Sequence, residues 1–233
     1  MKDENYYRYP ILWFDLDNTL LHFKNSSHKA FSALLKEIGL EEQEDSYAVY
    51  DKINKKEWRL FEEGKITQDR LKHTRFQNYF DHIGFDFDGL TANGIYLENI
   101  VKHPYYVEGA EELLQKLHQQ KYKMSIITNG MKEVQRPRIQ SCNWEHYFQD
   151  IFVSDEIGIA KPNVAFFNHC LEHSHHPDKN DILEIGDTLE SDILGAKNAS
   201  IKSCWINPTG AYCPPDLKPD YEIKHLVELL DIV

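Results

Sequence analysis

Asp15 and Asp17 flank a single residue in the run Phe14-Asp15-Leu16-Asp17-Asn18-Thr19. On extended backbone their side chains share a face. Two close carboxylates repel, so one tends to keep a proton unless a cation stands nearby. That divides the labour: one serves as nucleophile and metal ligand, the other as general acid and base. Taken alone, the pattern also fits a solvated turn. Thr128-Asn129-Gly130 adds a hydroxyl and, at a strand-to-helix turn, backbone N–H groups for phosphate oxygens. Lys161 stands before Pro162, where a fixed ammonium would neutralise charge on a transferring phosphoryl group. Gly186-Asp187-Thr188 and Asp192 supply more carboxylates. With Asp15 they form a hard, all-oxygen set that suits Mg²⁺. Singly, Lys161 reads as a surface lysine and Asp187 as a helix N-cap; the joint set points to catalysis.

These residues follow short apolar runs. Ile11–Phe14 precedes Asp15, 124–127 precedes Thr128, and 182–185 precedes Gly186-Asp187; 203–206 and the shorter 151–153 are similar. Such runs fit buried parallel strands. Helical spacing of apolar residues marks 108–120, 163–173 and 188–199 between them. Strands alternating with helices predict an α/β fold with a Rossmann-like parallel sheet, and ligands bind such sheets at the strands' carboxyl ends. The interval from Thr128 to Asp187 is roughly 60 residues, two units of about 30 each. From Thr19 to Thr128 it is roughly 110, about 80 too many for one crossover. The excess is patterned as helices over 28–38, 47–61 and 69–83. It predicts an all-α cap inserted over 22–102, with 1–21 and 103–233 forming the core. Phe85-Asp86-Phe87-Asp88-Gly89 lacks the Gly and Glu positions of a Ca²⁺ loop and reads as a turn between cap helices. The Pro-rich stretch 207–219 reads as a loop before a last helix at 222–231. His173, His175 and His176 read as a solvated helix end before Pro177, because no carboxylate stands at ligand spacing.

The composition narrows the class without naming a function. The chain has 233 residues, 26 basic and 38 acidic, for a formal charge of −12. So acidic a chain does not hold a nucleic-acid polymer by bulk charge. No apolar run approaches the roughly 20 residues of a membrane span. The first ten residues lack the pattern of a secretory leader. Cys142, Cys170, Cys204 and Cys213 are scattered and read as free thiols, so a cytoplasmic setting is expected.

Taken in order, Asp15-x-Asp17-x-Thr19, Thr128-Asn129-Gly130, Lys161-Pro162 and Gly186-Asp187 with Asp192 resemble the four motifs of the haloacid dehalogenase superfamily of phosphohydrolases. The resemblance spans the chain and includes a helical cap between the first two motifs. Within the superfamily, Ser154–Asn163, Gly186–Gly195 and Cys204-Trp205-Ile206-Asn207 are similar to bacterial pyrimidine 5′-nucleotidases. So are the cap's Asn54-x-x-x-Trp58, Gly64-x-Ile66-Thr67 and Arg75-Phe76. The resemblance implies Mg²⁺-dependent hydrolysis of a small phosphate ester through an aspartyl-phosphate on Asp15. Asp17 would be the general acid and base, and Lys161 would stabilise the nucleophile and the transferring group. Thr128, Asn129, Gly130 and Thr19 would hold phosphate. Asp15, Asp187 and the carbonyl of Asp17 would hold the metal, and Asp192 would position Lys161 or a metal-bound water.

Dehalogenation is the first alternative, but a departing halide needs no proton and leaves Asp17 without a use. A phosphomutase, a sugar-phosphate phosphatase and a non-catalytic phosphate-binding module are the others; the last would be expected to lack Asp15 or Asp17. On the substrate side the candidates are Asn54, Trp58 and Arg75. Trp58 would stack on a base or pack in the core. Lys52, Lys55, Lys56 and Arg59 would draw in a nucleotide, or form a solvated face with Glu57, Glu62 and Glu63. A monomer or homodimer is expected.

Overall fold

The computed structural model describes residues 8–102, 104–174 and 178–233. His175, His176 and Pro177, and most of the segment read for a leader, lie outside them. The chain opens with strand β1 (Ile11–Phe14), whose four residues are all buried. Four helices follow: α1 (Phe23–Glu37), α2 (Ser46–Glu62), α3 (Gln68–Ile83) and α4 (Gly89–Val101). Next come α5 (Ala110–Gln119), β2 (Lys123–Thr128), α6 (Lys132–Ser141), β3 (Asp150–Val153), the short α7 (Ser154–Ile157) and α8 (Val164–His173). β4 (Ile182–Gly186) leads through a π-helical turn, Leu189–Ile193, into α9 (Leu194–Ala199); β5 (Lys202–Ile206) and β6 (Tyr221–Ile223) complete the strands.

The chain divides into two units. One comprises the described residues of Met1–His22, Tyr106–Lys132 and Cys142–Val233; the other comprises those of Phe23–Tyr105 together with Glu133–Ser141. Most of α6 therefore groups with the helices that precede α5, not with the sheet.

The first unit is a six-stranded sheet in the order β3-β2-β1-β4-β5-β6, parallel throughout. The strands are short, apolar and rich in Ile, as buried parallel strands require. β1 lies between β2 and β4, and Asp15 N–H donates to Ile185 O at 2.9 Å. That bond prolongs the ladder into the residue that carries the first carboxylate. On one face, Trp13, Phe166, Phe167, Cys170, Ala196 and Ile201 form a buried layer. Each large apolar side chain there contributes about 1.5–3 kcal/mol by leaving water. The end of the chain differs from the predicted last helix. Tyr221–Ile223 pairs with β5 as an edge strand, and Leu226–Asp231 winds as 3₁₀. Leu226 and Leu229, three residues apart, are its buried pair, and three is the 3₁₀ period.

The helical unit is held by aromatic rings. Phe31, Tyr50 and Phe76 stack in sequence, with centroids 4.7 and 4.9 Å apart, and Tyr79 and Tyr96 meet Tyr50 edge-on. Phe85–Asp88 is the turn the sequence predicts, and it starts α4, whose own periodicity is weak. Asp88 caps that helix by accepting from Thr91 N–H at 2.7 Å. Gly89 is required there, since a Cβ would stand 2.5 Å from His73 O on α3. Among the described residues no helix is long and apolar enough to cross a membrane.

Candidate active site

The carboxyl ends of β1, β2 and β4 bring the four motifs together. Lys161 lies in the loop before α8 and is 1% exposed. Its Nζ donates to Asp15 Oδ1 at 2.8 Å, to Asp192 Oδ1 at 2.6 Å and to Ile127 O at 2.8 Å. All three ammonium protons therefore have acceptors. The loop itself is fixed by Asn129. Its Oδ1 accepts from Lys161 N–H at 2.8 Å, and its Nδ2 donates to Lys161 O at 2.9 Å. The Asn129 side chain thus positions Lys161, which leaves its backbone as the candidate phosphate donor. Thr128 is buried and accepts from Gly130 N–H at 3.2 Å.

At the end of β4 the chain packs tightly. Gly186 is adjacent to the Asp192 carboxylate, which occupies the space a Cβ would need. Asp192 is 1% exposed and also accepts from Thr188 N–H at 2.9 Å and Ser191 Oγ at 3.2 Å. Asp187 is half-buried; Thr188 Oγ1 donates to its carboxylate at 3.1 Å and Trp205 Nε1 to its carbonyl at 2.8 Å. Asp187 is not an N-cap, because Thr188 occupies the position before the Leu189–Ile193 turn.

After β1 the backbone curls over Leu16, whose carbonyl accepts from Leu20 N–H at 3.0 Å and Leu21 N–H at 2.9 Å. This turn sets Asp17 half-exposed and Asn18 at φ 62°, in the left-handed region Asn tolerates. The same turn buries Thr19 completely, and Thr19 Oγ1 has no hydrogen-bond partner among the described residues. A buried hydroxyl without a partner is costly unless a ligand oxygen completes it.

Carboxylate oxygens of Asp15, Asp187 and Asp192 lie within 4.8 Å of one another. Burial pushes the Asp15 carboxyl well above its ordinary range; Lys161 opposes this, and Asp192, Asp187 and Asp17 add to it. Burial, then Asp192, pushes Asp187 up to about 7. Burial opposes the charge on Lys161, but Asp15 and Asp192 outweigh it and hold the ammonium protonated. One ammonium cannot neutralise three crowded acids. The surplus negative charge and the oxygen donors fit a hard divalent cation.

The profile of haloacid dehalogenase-like hydrolases matches residues 12–206. YfnB of Bacillus subtilis, named as a HAD-hydrolase, is 34% identical over 226 residues, covering 97% of this chain and 96% of that protein. The chain belongs to the haloacid dehalogenase-like hydrolases. It is thus an enzyme of that family, and its sheet and helices are the family's. A crystal structure of YfnB bound to magnesium superposes with a TM-score of 0.91 over 97% of this chain and 99% of that one. The pyrimidine 5′-nucleotidase PynA of Streptococcus pneumoniae is 32% identical, covering 96% of this chain and 94% of its own. The pyrimidine 5′-nucleotidase YjjG of Escherichia coli is 30% identical, covering 94% and 95%.

The three substrate-side candidates belong to the helical unit. Arg75 is 1% exposed. It donates to Asn93 Oδ1 from Nε at 3.1 Å and also from Nη2, and to Asn54 Oδ1 from Nη1 at 3.4 Å, and it lies over the rings of Phe76 and Tyr96. Asn54 and Arg75 thus brace α2, α3 and α4 from inside. Trp58, one turn beyond Asn54, is half-buried and meets Phe61 edge-on at 5.8 Å. Lys52, Lys55, Lys56 and Arg59 are exposed, and Lys55 pairs with Asp51 at 2.6 Å. Glu57 differs from its expected surface role. It is buried and accepts from Thr74 Oγ1 at 2.7 Å and Asn78 Nδ2 at 3.1 Å. The structure adds Glu184, a lone acid in the buried strand Ile182-Leu183-Glu184-Ile185, which the motifs do not include. An ionisable residue inside such a run was the available signal.

Proposed function

We propose that this protein is a Mg²⁺-dependent phosphomonoesterase whose nucleophile is Asp15, and that its substrates are pyrimidine nucleoside 5′-monophosphates. The observation that carries the reaction class is the Lys161 ammonium bonded to Asp15 beside Asp187, in a chain of this hydrolase family. The nucleotide class is supported by PynA and YjjG, both named as pyrimidine 5′-nucleotidases.

In the proposed reaction, a carboxylate oxygen of Asp15 attacks phosphorus, and the P–O bond to the alcohol breaks. Asp17 gives its proton to the departing oxygen, so the nucleoside leaves neutral. Asp17 then takes a proton from water as that water attacks the aspartyl-phosphate. Inorganic phosphate departs and the Asp15 carboxylate is restored. Lys161 holds Asp15 in place and offsets negative charge as it builds. Thr128, Thr19 and the N–H groups of Asn129 and Gly130 hold the phosphate oxygens. The carboxylates of Asp15 and Asp187 and the carbonyl of Asp17 would hold Mg²⁺. Both oxygens of Asp192 are already engaged, so its role is to position Lys161. When bound, Mg²⁺ supplies Lewis-acid polarisation and charge neutralisation.

The helical segment 22–102 is proposed as the cap that selects the substrate. Trp58 would offer its ring to the base, while Asn54 and Arg75 fix the helix that carries it. The enzyme is proposed to act in the cytoplasm as a monomer or homodimer, on a small ester and on neither nucleic-acid polymers nor membranes. Among the described residues no cysteine forms a disulfide, which agrees with a reducing setting.

The test is phosphate release with Mg²⁺ across nucleoside monophosphates and sugar phosphates. UMP, dUMP and dTMP should lead. Preference for sugar phosphates would retain the Asp15 chemistry and overturn the nucleotidase assignment.

A further inference from the structure

Glu184 lies in the middle of β4 and is wholly buried. Neither of its carboxyl oxygens has a hydrogen-bond partner among the described residues. In register it stands beside Trp13 on β1 and Ser203 on β5. In-register residues of a parallel sheet share a face, so Glu184 points to the side where Trp13 packs under α8 and α9. Trp13 Nε1 is also buried and has no hydrogen-bond partner among the described residues. An ionised carboxylate in that setting would lack hydrogen bonds and any cation bonded to it, which is strongly unfavourable in a protein interior.

The titratable groups acting on it are those of the site: Asp192 first, then Lys161, Asp15 and Asp187. Cys204 on β5 also interacts with Glu184, and Cys170 of α8 packs in the layer that holds Trp13. Lys161 is the only cation in that set, and its three protons go to Asp15, Asp192 and Ile127 O. A further buried anion would compete for that ammonium. It would also repel Asp15 and Asp192.

We propose that Glu184 is a positioning residue that stands behind the catalytic cluster as a neutral carboxylic acid, leaving Lys161 to be shared by Asp15 and Asp192 alone. Burial, and then Asp192, favour that form. Loss of the proton at alkaline pH would draw Lys161 away from Asp15 and slow turnover. The catalytic half of this inference rests on the phosphatase reading; the protonation half does not.

The sign of the stability effect follows from proton counting. The unfolded Glu184 ionises at an ordinary pKa while the folded one keeps its proton, so wild-type stability falls as pH rises above that ordinary value. Glu184→Gln copies the neutral acid and removes the slope. Its melting temperature should exceed that of wild type at pH 7, with a gap that widens from pH 6 to pH 8. Its kcat on UMP with Mg²⁺ should stay within about twofold at pH 7, and its alkaline decline should begin at higher pH than in wild type. If Glu184→Gln does not fold, Glu184→Met decides, because a neutral unpartnered acid tolerates an apolar isostere. A lower melting temperature with a pH-independent gap, an unshifted alkaline limb, or failure of both variants to fold would overturn the proposal. If Asp15→Asn keeps its turnover while the Glu184→Gln melting gap behaves as expected, the phosphatase reading fails and the protonation reading stands.

Discussion

Lys161 Nζ sits 2.8 Å from Asp15 Oδ1, with both side chains buried at the carboxyl end of the sheet. The same ammonium reaches Asp192 Oδ1 at 2.6 Å. Lys161→Met should therefore leave two buried carboxyls without compensation. We expect a loss of about 3 kcal/mol of stability at pH 8. The loss should be smaller near pH 5.5, where the Asp15 carboxyl, pushed up mainly by burial, can take up a proton. Chemical denaturation at the two pH values checks this; equal losses at both would contradict it.

Asp17→Asn removes the proposed proton donor and leaves the nucleophile. Turnover of UMP, whose leaving alkoxide needs a proton, should fall by about 10²–10³. An aryl phosphate, whose phenolate leaves unaided, should lose much less in the first step. Equal losses on both substrates, measured as pre-steady-state release of the alcohol, would remove Asp17 from that role.

Asp187, pushed up to about 7 mainly by burial, links metal binding to pH. The folded protein keeps a proton that the unfolded chain loses near its ordinary pKa of about 3.9. Without metal, stability therefore falls as pH rises from about 4 to about 7. Mg²⁺ must displace that proton to bind. The rise in melting temperature on adding saturating Mg²⁺ should be larger at pH 8 than at pH 5.5. A rise independent of pH would contradict the assignment of Asp187 as a ligand.

Trp58 is half-buried, so Trp58→Ala should cost little stability while removing a stacking surface worth about 1–3 kcal/mol per base. The KM for UMP should rise about tenfold and that for an aryl phosphate should not change. Arg75→Met contrasts with it. It empties the Asn93–Asn54 bracket and should lower the melting temperature before it alters selectivity.

The sheet and its acidic edge were legible because their signals are local. Ile11–Phe14 and Ile182–Ile185 are apolar runs, and parallel strands gather the residues at their carboxyl ends along one edge of the sheet. Asp15, Thr128, Lys161, Asp187 and Asp192 meet accordingly. The grouping of Glu133–Ser141 with the helical unit was not legible, since its partners lie far off in sequence. Lys72 on α3 pairs with Glu133 at 3.6 Å, and Pro137 blurs the helical pattern. The predicted last helix gives way to a strand because Tyr221 and Ile223 flank a polar residue in the period of a strand, and a partner strand decides such cases. Asn54 and Arg75 showed their residue types but not their mutual bond, which no spacing rule encodes. Glu184 is hidden in the sequence because it sits inside an otherwise apolar run.

The proposed nucleophile of this metal-dependent phosphatase is Asp15. The most direct measurement is Mg²⁺-dependent phosphate release from UMP by wild type and Asp15→Asn, with melting curves of both. The variant should lose at least about 10³-fold in turnover while its melting temperature is unchanged or raised, since one buried carboxyl has left a crowded set. Turnover above a tenth of wild type, or release that survives EDTA, would contradict that assignment.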